Sequence, residues 1–151
     1  MFSIRKAAIW GILFLLSALF ANFVLADEAN TTSQIIAHID DVLKENPLPA
    51  GKKSQLIKIT QDNTISAYIV RMMPGAELGP HYHLKHDEIE YVIRGTAQLL
   101  VNDQWVDIRP GSIHFNPMQK VHAARNTGKE PLIVLIAFTP AMKETDRHFL
   151  K

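Results

Sequence analysis

The stretch GAELGPHYHLKHDEIEYVIRG, which begins at Gly75, places three histidines and four carboxylates within 21 residues. Imidazole and carboxylate groups are ligands for metal ions, but they also occur in ordinary solvated loops. Two interpretations compete: a polar loop between strands, or half of the coordination shell of a metal ion. The chain contains no cysteine, which excludes thiolate ligands and disulfides, so a metal site would have to use imidazole and carboxylate.

Alternation along predicted strands places several of these groups on common faces. His81 and His83 are separated by one residue, so on a strand both imidazoles leave the same face, with Tyr82 opposite. Such a pair also occurs on plain exposed strands and is not specific alone. Glu88 and Glu90 share a face of the next strand, and burying a carboxylate without a partner is costly. A cation held by His81, His83 and Glu88 would offset that cost.

A fourth ligand could come from His122, in the segment GSIHFNPMQKVHAARN. With it, the chain resembles the cupin superfamily. The first cupin motif, G-x5-H-x-H-x4-E-x6-G, is matched by Gly75, His81, His83, Glu88 and Gly95. The second, G-x5-P-x-G-x2-H-x3-N, is matched by Gly111, Pro117, His122 and Asn126. Gln119 stands where this motif has a glycine, which places the conformation of the loop before His122 in question.

The resemblance covers about residues 68 to 138 and implies a small antiparallel β-barrel, or jelly roll, that binds one divalent metal ion. By resemblance, the metal ligands are His81, His83, Glu88 and His122. Three imidazoles and a carboxylate suit Zn, Fe, Mn, Ni, Co or Cu, and the ligand set does not choose among them. Four protein ligands leave room for water, O2 or a substrate on the ion, as in catalytic metal sites.

The rest of the chain predicts an all-β domain with one N-terminal helix. Apolar residues from Ile35 to Leu43 recur at helical spacing, with Thr32 or Ser33 as the cap and an end near Asn46. Short runs rich in β-branched and aromatic residues then predict the strands. These runs are Leu56–Ile59, Thr64–Met72, Ile89–Ile93, Ala97–Val101, Trp105–Ile108, Ile113–Phe115, His122–Arg125 and Leu132–Phe138. We expect one domain over residues 27 to 151, with the barrel at about 53 to 140.

Residues 1 to 26 have the pattern of a secretory signal peptide. Arg5 and Lys6 precede an apolar run, and Val24-Leu25-Ala26 places small residues before a cut after Ala26. The predicted location is therefore the periplasm or the extracellular space, without membrane contact after cleavage. An uncleaved membrane anchor is the alternative, because the apolar run is long. The formal net charge of +1, with no long basic run, argues against a nucleic-acid partner.

Three further residues have open roles. Glu90 is the candidate catalytic residue, as a general base or hydrogen-bond acceptor beside the metal, or else it is a solvated group at the mouth of the barrel. His86 is expected to be an exposed histidine in the turn between the ligand strands. For His114 a packed or exposed position is favoured over substrate contact.

Two functional hypotheses follow, because one fold hosts many activities. The first is a metal-dependent enzyme acting on a small organic molecule, as an oxygenase, decarboxylase, lyase or isomerase. The alternative is a non-catalytic module that binds a small molecule or a metal. A sugar isomerase is disfavoured by the predicted export, since phosphorylated sugars are mainly cytoplasmic. The resemblance to cupins also implies a possible homodimer.

Overall fold

The computed structural model describes residues 34 to 150 and contains one short helix and ten strands. The helix α1 is Ile39–Glu45. The strands are β1 (Ser54–Gln61), β2 (Ser66–Met72), β3 (Glu77–His83), β4 (Asp87–Arg94), β5 (Ala97–Val101), β6 (Gln104–Ile108), β7 (Ile113–Asn116), β8 (His122–Arg125), β9 (Leu132–Thr139) and β10 (Arg147–Phe149). The predicted signal peptide, its cleavage site and the proposed caps Thr32 and Ser33 lie outside the described residues.

The strands form two antiparallel five-stranded sheets. The first sheet has the order β1-β2-β9-β4-β7 and the second has the order β10-β3-β8-β5-β6. Residues that alternate along the strands fill the space between the sheets with one apolar cluster, which includes Tyr68, Met72, Leu99, Leu132 and Phe138. The all-β jelly-roll class expected from the sequence is confirmed. Consecutive strands β3 and β4 lie in opposite sheets, so their inward faces oppose each other across this core.

The helix is shorter than the apolar spacing predicts. It begins after His38, whose Nδ1 accepts a hydrogen bond from the amide of Asp40 at 3.3 Å and caps the first turn. Ile36 precedes the helix and is fully exposed. The helix begins only where its apolar side chains meet a partner. Ile39, Val42 and Leu43 pack against the outer face of the first sheet, on a cluster of Ile57, Ile69 and Ile133.

The strands agree with the sequence prediction in type, and most differ from it by a few residues at their ends. Asn102 and Asp103 form a tight turn, with φ of 49° and 62°, as a two-residue hairpin of the β5–β6 pair requires. Strand β10 was not predicted. Its three residues pair with the edge of β3 and add a fifth strand to the second sheet. Among residues 34 to 150, no helix is long and apolar enough to cross a membrane.

Gly95, in the connection between β4 and β5, is the glycine that the fold constrains most tightly. Its φ is +80°, and a Cβ atom there would lie 2.7 Å from the carbonyl oxygen of Pro131 and 2.9 Å from Cα of Leu132. Gly111 has a similar φ of +87°, but a Cβ at this position would meet nothing within 4 Å. The two positions therefore separate backbone strain from steric overlap.

We expect Gly95→Ala to destabilise the protein more than Gly111→Ala. The positive φ alone costs an L-residue about 1–2 kcal/mol, and the overlap with backbone atoms at Gly95 adds about 1–3 kcal/mol. Chemical denaturation of both variants measures the difference in the free energy of unfolding. Equal losses in the two variants would show that the contact with Pro131 has no energetic weight.

Candidate metal centre

The four ligands expected from the resemblance lie on three strands that face the interior. His81 and His83 are on β3 and His122 is on β8, with His81 and His122 directly opposite each other in the pairing of these strands. Opposed residues of an antiparallel pair project from the same face, so the three imidazoles share one side of the second sheet. Glu88 comes from β4 in the first sheet and completes the group from across the core.

The structure brings these side chains into contact. Nitrogen atoms of His81, His83 and His122 lie within 4.8 Å of one another. Oε2 of Glu88 is 3.0 Å from Nε2 of His122 and 3.6 Å from Nε2 of His83. None of the four residues is more than 4% exposed. Such a group of buried donors has the composition of a mononuclear site for a divalent metal ion.

Backbone carbonyls fix the orientation of each imidazole. Nδ1 of His81 lies 2.9 Å from the carbonyl of Gly79, and Nδ1 of His83 lies 3.1 Å from the carbonyl of Asp146. Because a carbonyl only accepts, both Nδ1 atoms must carry the proton, and each Nε2 presents a lone pair. These two Nε2 atoms are buried and have no hydrogen-bond partner among the described residues. A cation at this point would satisfy both atoms, and this is how metal-binding histidines are held in general.

The contact between Glu88 and His122 shifts the pKa values of the two residues in opposite directions. Burial opposes ionisation of Glu88, but the close contact with His122 and the nearby imidazole of His83, whose Nε2 is 3.6 Å from Oε2, outweigh it and lower the pKa of Glu88. Burial likewise opposes protonation of His122, but the carboxylate of Glu88 outweighs it and raises the pKa of His122. The pair therefore needs positive charge between its members, which a proton or a metal ion could supply.

His81 behaves differently from His122, although the two rings lie only 4.1 Å apart between centroids. Burial, followed by the nearby His122, lowers the pKa of His81 to about 4. The pKa of His81 therefore lies well below the ordinary histidine value of about 6.5. His81 keeps a neutral ring, which is the form that binds metals, well into the acid range.

Two further residues support the candidate ligands, and of these the sequence analysis singled out Gln119 but not Asn116. Asn116 on β7 is opposite Glu88, and its Nδ2 donates to Oε2 of Glu88 at 3.3 Å. Gln119 has φ of +64°, the left-handed conformation for which the cupin motif has glycine. The amide of Gln119 donates to the carbonyl of His83 at 2.7 Å. The loop before His122 therefore keeps the glycine-like turn despite the substitution, and it is tied to the ligand strand.

A cavity of about 130 Å³ lies beside the histidines between the two sheets. His81, Glu88 and His122 contribute to its polar end. Apolar side chains form most of its wall, among them Val70, Met72, Leu99, Leu132, Val134 and Ile136. A partly open cavity with mostly apolar walls and a few polar groups has the lining of a ligand site.

Glu90 also lines this cavity, next to the candidate metal ligands rather than free in solvent. Its side chain is 12% exposed, and its Oε2 lies 3.3 Å from Nδ1 of His114. Burial raises the pKa of Glu90, and the negative charge of Glu88 raises it further against the opposing effect of His114. His114 is half-buried and serves as the partner of Glu90.

The expectation of an exposed His86 is wrong. His86 is 7% exposed, and its Nδ1 lies 2.7 Å from Oδ2 of Asp146. The same carboxylate accepts hydrogen bonds from the amide of Lys85 at 2.7 Å and from Nε2 of His148 at 3.0 Å. Asp146 is 60 residues away from His86 in sequence, which is why local patterns could not predict this contact. Its carboxylate and carbonyl together join the residues before β10 to the turn after β3 and to His83.

We expect Asp146→Asn to destabilise the protein at neutral pH by about 1–3 kcal/mol, because buried donors lose a charged acceptor. Burial opposes ionisation of Asp146, but its hydrogen bonds outweigh this and hold its pKa at about 2, below the ordinary 3.8. The stabilisation is therefore fully present above about pH 4 and is lost as the pH falls through about 2. Denaturation at pH 7 and pH 3 measures it.

His148→Ala is the matched control, since this partner of Asp146 is 43% exposed and its contact should contribute less than about 1 kcal/mol. An Asn variant as stable at pH 7 as the unaltered protein would contradict the role assigned to Asp146.

Comparison with known proteins agrees with this geometry. The family model described as "Cupin domain" matches residues 68–138. An uncharacterized protein of Aquifex aeolicus (strain VF5) is 29% identical over 111 residues, which make up 74% of this chain and 88% of that protein. A glucose-6-phosphate isomerase of Thermococcus onnurineus (strain NA1) is 38% identical over 65 residues, which make up 38% of this chain and 34% of the isomerase. The chain thus spans about a third of that enzyme.

Solved structures show the same architecture. An uncharacterized conserved protein with a double-stranded beta-helix domain from Klebsiella pneumoniae subsp. pneumoniae MGH 78578 superposes with a TM-score of 0.63 at 23% identity. The match covers 72% of this chain and 91% of that one, and it shows the fold. The two facing sheets, the converging histidines and the family match lead to one conclusion: residues 68–138 form a cupin domain.

Proposed function

We propose that this protein is a metal-dependent enzyme that acts on a small organic molecule in the cavity between its two sheets. The observation that carries the proposal is the pair of buried Nε2 atoms of His81 and His83, which have no partner among the described residues. Such atoms cost free energy unless something binds them. His81, His83, Glu88 and His122 would hold the ion. A bound divalent ion would supply Lewis-acid or O2-activating chemistry at the polar end of the cavity.

Glu90 is the proposed acid–base residue. It lines the cavity beside Glu88, and its raised pKa brings it nearer to the range in which a carboxyl group exchanges protons at neutral pH. The contact with His114 orients its carboxyl group, because Nδ1 of His114 lies 3.3 Å from Oε2. In the proposed reaction Glu90 takes a proton from the substrate or returns one, while the apolar wall excludes bulk water.

The relatives support a small-molecule substrate in general terms. The isomerase of Thermococcus onnurineus is named for its action on glucose 6-phosphate, and it is similar to this chain over 65 residues. Since the match covers only 34% of that enzyme, it does not carry the same reaction to this chain. The cavity of about 130 Å³ favours a compact substrate.

The metal site is tested by replacing its ligands. We expect His81→Ala and His122→Ala to weaken zinc binding by at least about tenfold, since replacing even a residue that only supports a ligand costs about 10–100-fold. Metal content after loading and dialysis, measured by elemental analysis, checks the result. The matched control is His38→Ala, because this exposed histidine caps α1 away from the centre. Unchanged zinc content in both ligand variants would refute the metal site.

Glu90→Gln separates acid–base chemistry from metal binding. The amide keeps the size of the side chain but cannot exchange a proton, so we expect zinc content to remain and turnover of a substrate to fall by about 10²–10⁴-fold. Mass spectrometry of small molecules that co-purify with the protein supplies the substrates to be tested. Binding without conversion, in the unaltered protein loaded with each candidate metal, would instead favour the non-catalytic binding module.

We further propose that the protein is exported and cleaved after Ala26, on the pattern of residues 1 to 26. Sequencing the N-terminus of protein isolated from its native compartment should then give Asp27 as the first residue. A retained Met1 in the membrane fraction would favour the anchor instead. The homodimer expected from the resemblance stays a prediction.

A further inference from the structure

Arg147 places a positive charge at the cavity that the proposed chemistry does not use. It lies on β10, directly opposite His83 of β3. Opposed residues of an antiparallel pair project from one face, so the guanidinium is on the same side of the sheet as the histidines. Arg147 accordingly lines the same cavity as His81, Glu88 and Glu90.

No carboxylate among the described residues lies within salt-bridge distance of this guanidinium. Its Nε is buried and has no hydrogen-bond partner among them. The residue as a whole is only partly exposed, and this burial lowers its pKa against the opposing charge of Glu88. Holding a partly buried cation without a counter-ion is unfavourable. A ligand that brings the missing negative charge would remove this cost.

The surrounding groups limit which ligand fits. Arg147 is the one lysine or arginine among the described residues that line the cavity, and two glutamates lie in the same lining. In the metal-free cavity, this single fixed cation matches a singly charged anion better than a phosphate dianion, which the two glutamates would repel. The planar fork of a guanidinium also matches the two oxygens of a carboxylate. The mostly apolar wall accommodates the carbon skeleton of the ligand.

We propose that Arg147 binds the carboxylate of a small organic acid and that this acid is the substrate class of the site. Only the claim that the acid is the substrate class rests on the proposed function; the binding of the carboxylate by Arg147 does not. The carboxylate is held by β10 at one side, while the rest of the molecule faces the histidines and Glu90. Arg147 is thus a specificity-determining residue, supplied by a strand that follows the matched cupin domain in sequence.

The test compares butanoate with butanamide, two probes of matched size that differ in charge. Titration calorimetry and ligand-observed NMR are carried out on the full chain, both zinc-loaded and metal-free. We expect butanoate to bind and butanamide not to bind. We also expect Arg147→Gln to weaken butanoate binding by about tenfold or more, the range for a lost charge-assisted pair. Arg147→Lys should restore part of the affinity, because the charge returns without the fork.

His148→Gln is the matched control on the same strand, since His148 is exposed and is not part of the cavity lining. It should leave butanoate binding unchanged, and circular dichroism should show the same fold in all three variants. Equal zinc content in Arg147→Gln and the unaltered protein would show that the loss concerns the anion and not the metal.

Three results would overturn the proposal. Butanoate binding that Arg147→Gln leaves unchanged would place the carboxylate on the metal instead. Equal binding of butanamide would remove the role of charge. Binding of methyl phosphate but not butanoate, lost in Arg147→Gln, would make the anion a phosphate. If the unaltered protein takes up no zinc, the metal-dependent function fails, yet the difference between the Arg and Gln proteins is still measured in the metal-free arm.

Discussion

The site depends on hydrogen bonds between ring nitrogens and backbone carbonyls at the edge of one sheet. Gly79 and Asp146 supply these carbonyls for His81 and His83, so the protonated side of each ring is occupied and the unprotonated side points into the core. In the buried interior this arrangement has a consequence that exposed histidines do not share. The inward nitrogens have no hydrogen-bond partner among the described residues, and the surrounding walls are largely apolar. The orientation of the proposed metal ligands is therefore set by the folded backbone as well as by the side chains.

Each of the two sheets supplies different residues to the site. The second sheet supplies the three imidazoles and Arg147, while the first supplies Glu88, Glu90 and Asn116. Imidazole and guanidinium groups thus approach from one wall and carboxyl groups from the other, and the cavity lies where they meet. The carboxyl groups and the basic groups therefore meet only when the two sheets pack together. It also explains the opposite pKa shifts of Glu88 and His122, which are neighbours from different walls.

Much of the arrangement of the site could be predicted from sequence because the local alternation and spacing of residues determine it. The shared face of His81 and His83 and the inward direction of Glu88 both follow from the two-residue period of a strand. Two features could not be predicted from sequence, each for its own physical reason. Three residues are too few to show an alternation, so β10 was missed, and with it the placement of Arg147. His86 was expected in solvent because its partner Asp146 is 60 residues away along the chain.

The helix boundary was wrong for a related reason. Apolar spacing continues through Ile35 and Ile36, but whether such residues are helical depends on a surface to pack against, and that surface begins at Ile39. Gln119 is the opposite case, in which a contact distant in sequence imposes a backbone conformation that the residue type does not favour. The backbone keeps a left-handed turn with a residue that does not favour it, because the turn is tied to His83.

The pairing of strands that are distant in sequence affects the rate of folding. β2 pairs with β9, and β3 pairs with β10, so β2 and β3 are completed only by strands that lie between residues 132 and 149. Long-range pairing of this kind requires large loops to close before the stabilising contacts can form, and it slows folding. During synthesis one edge of β3 therefore stays unpaired until residues 147 to 149 have left the ribosome.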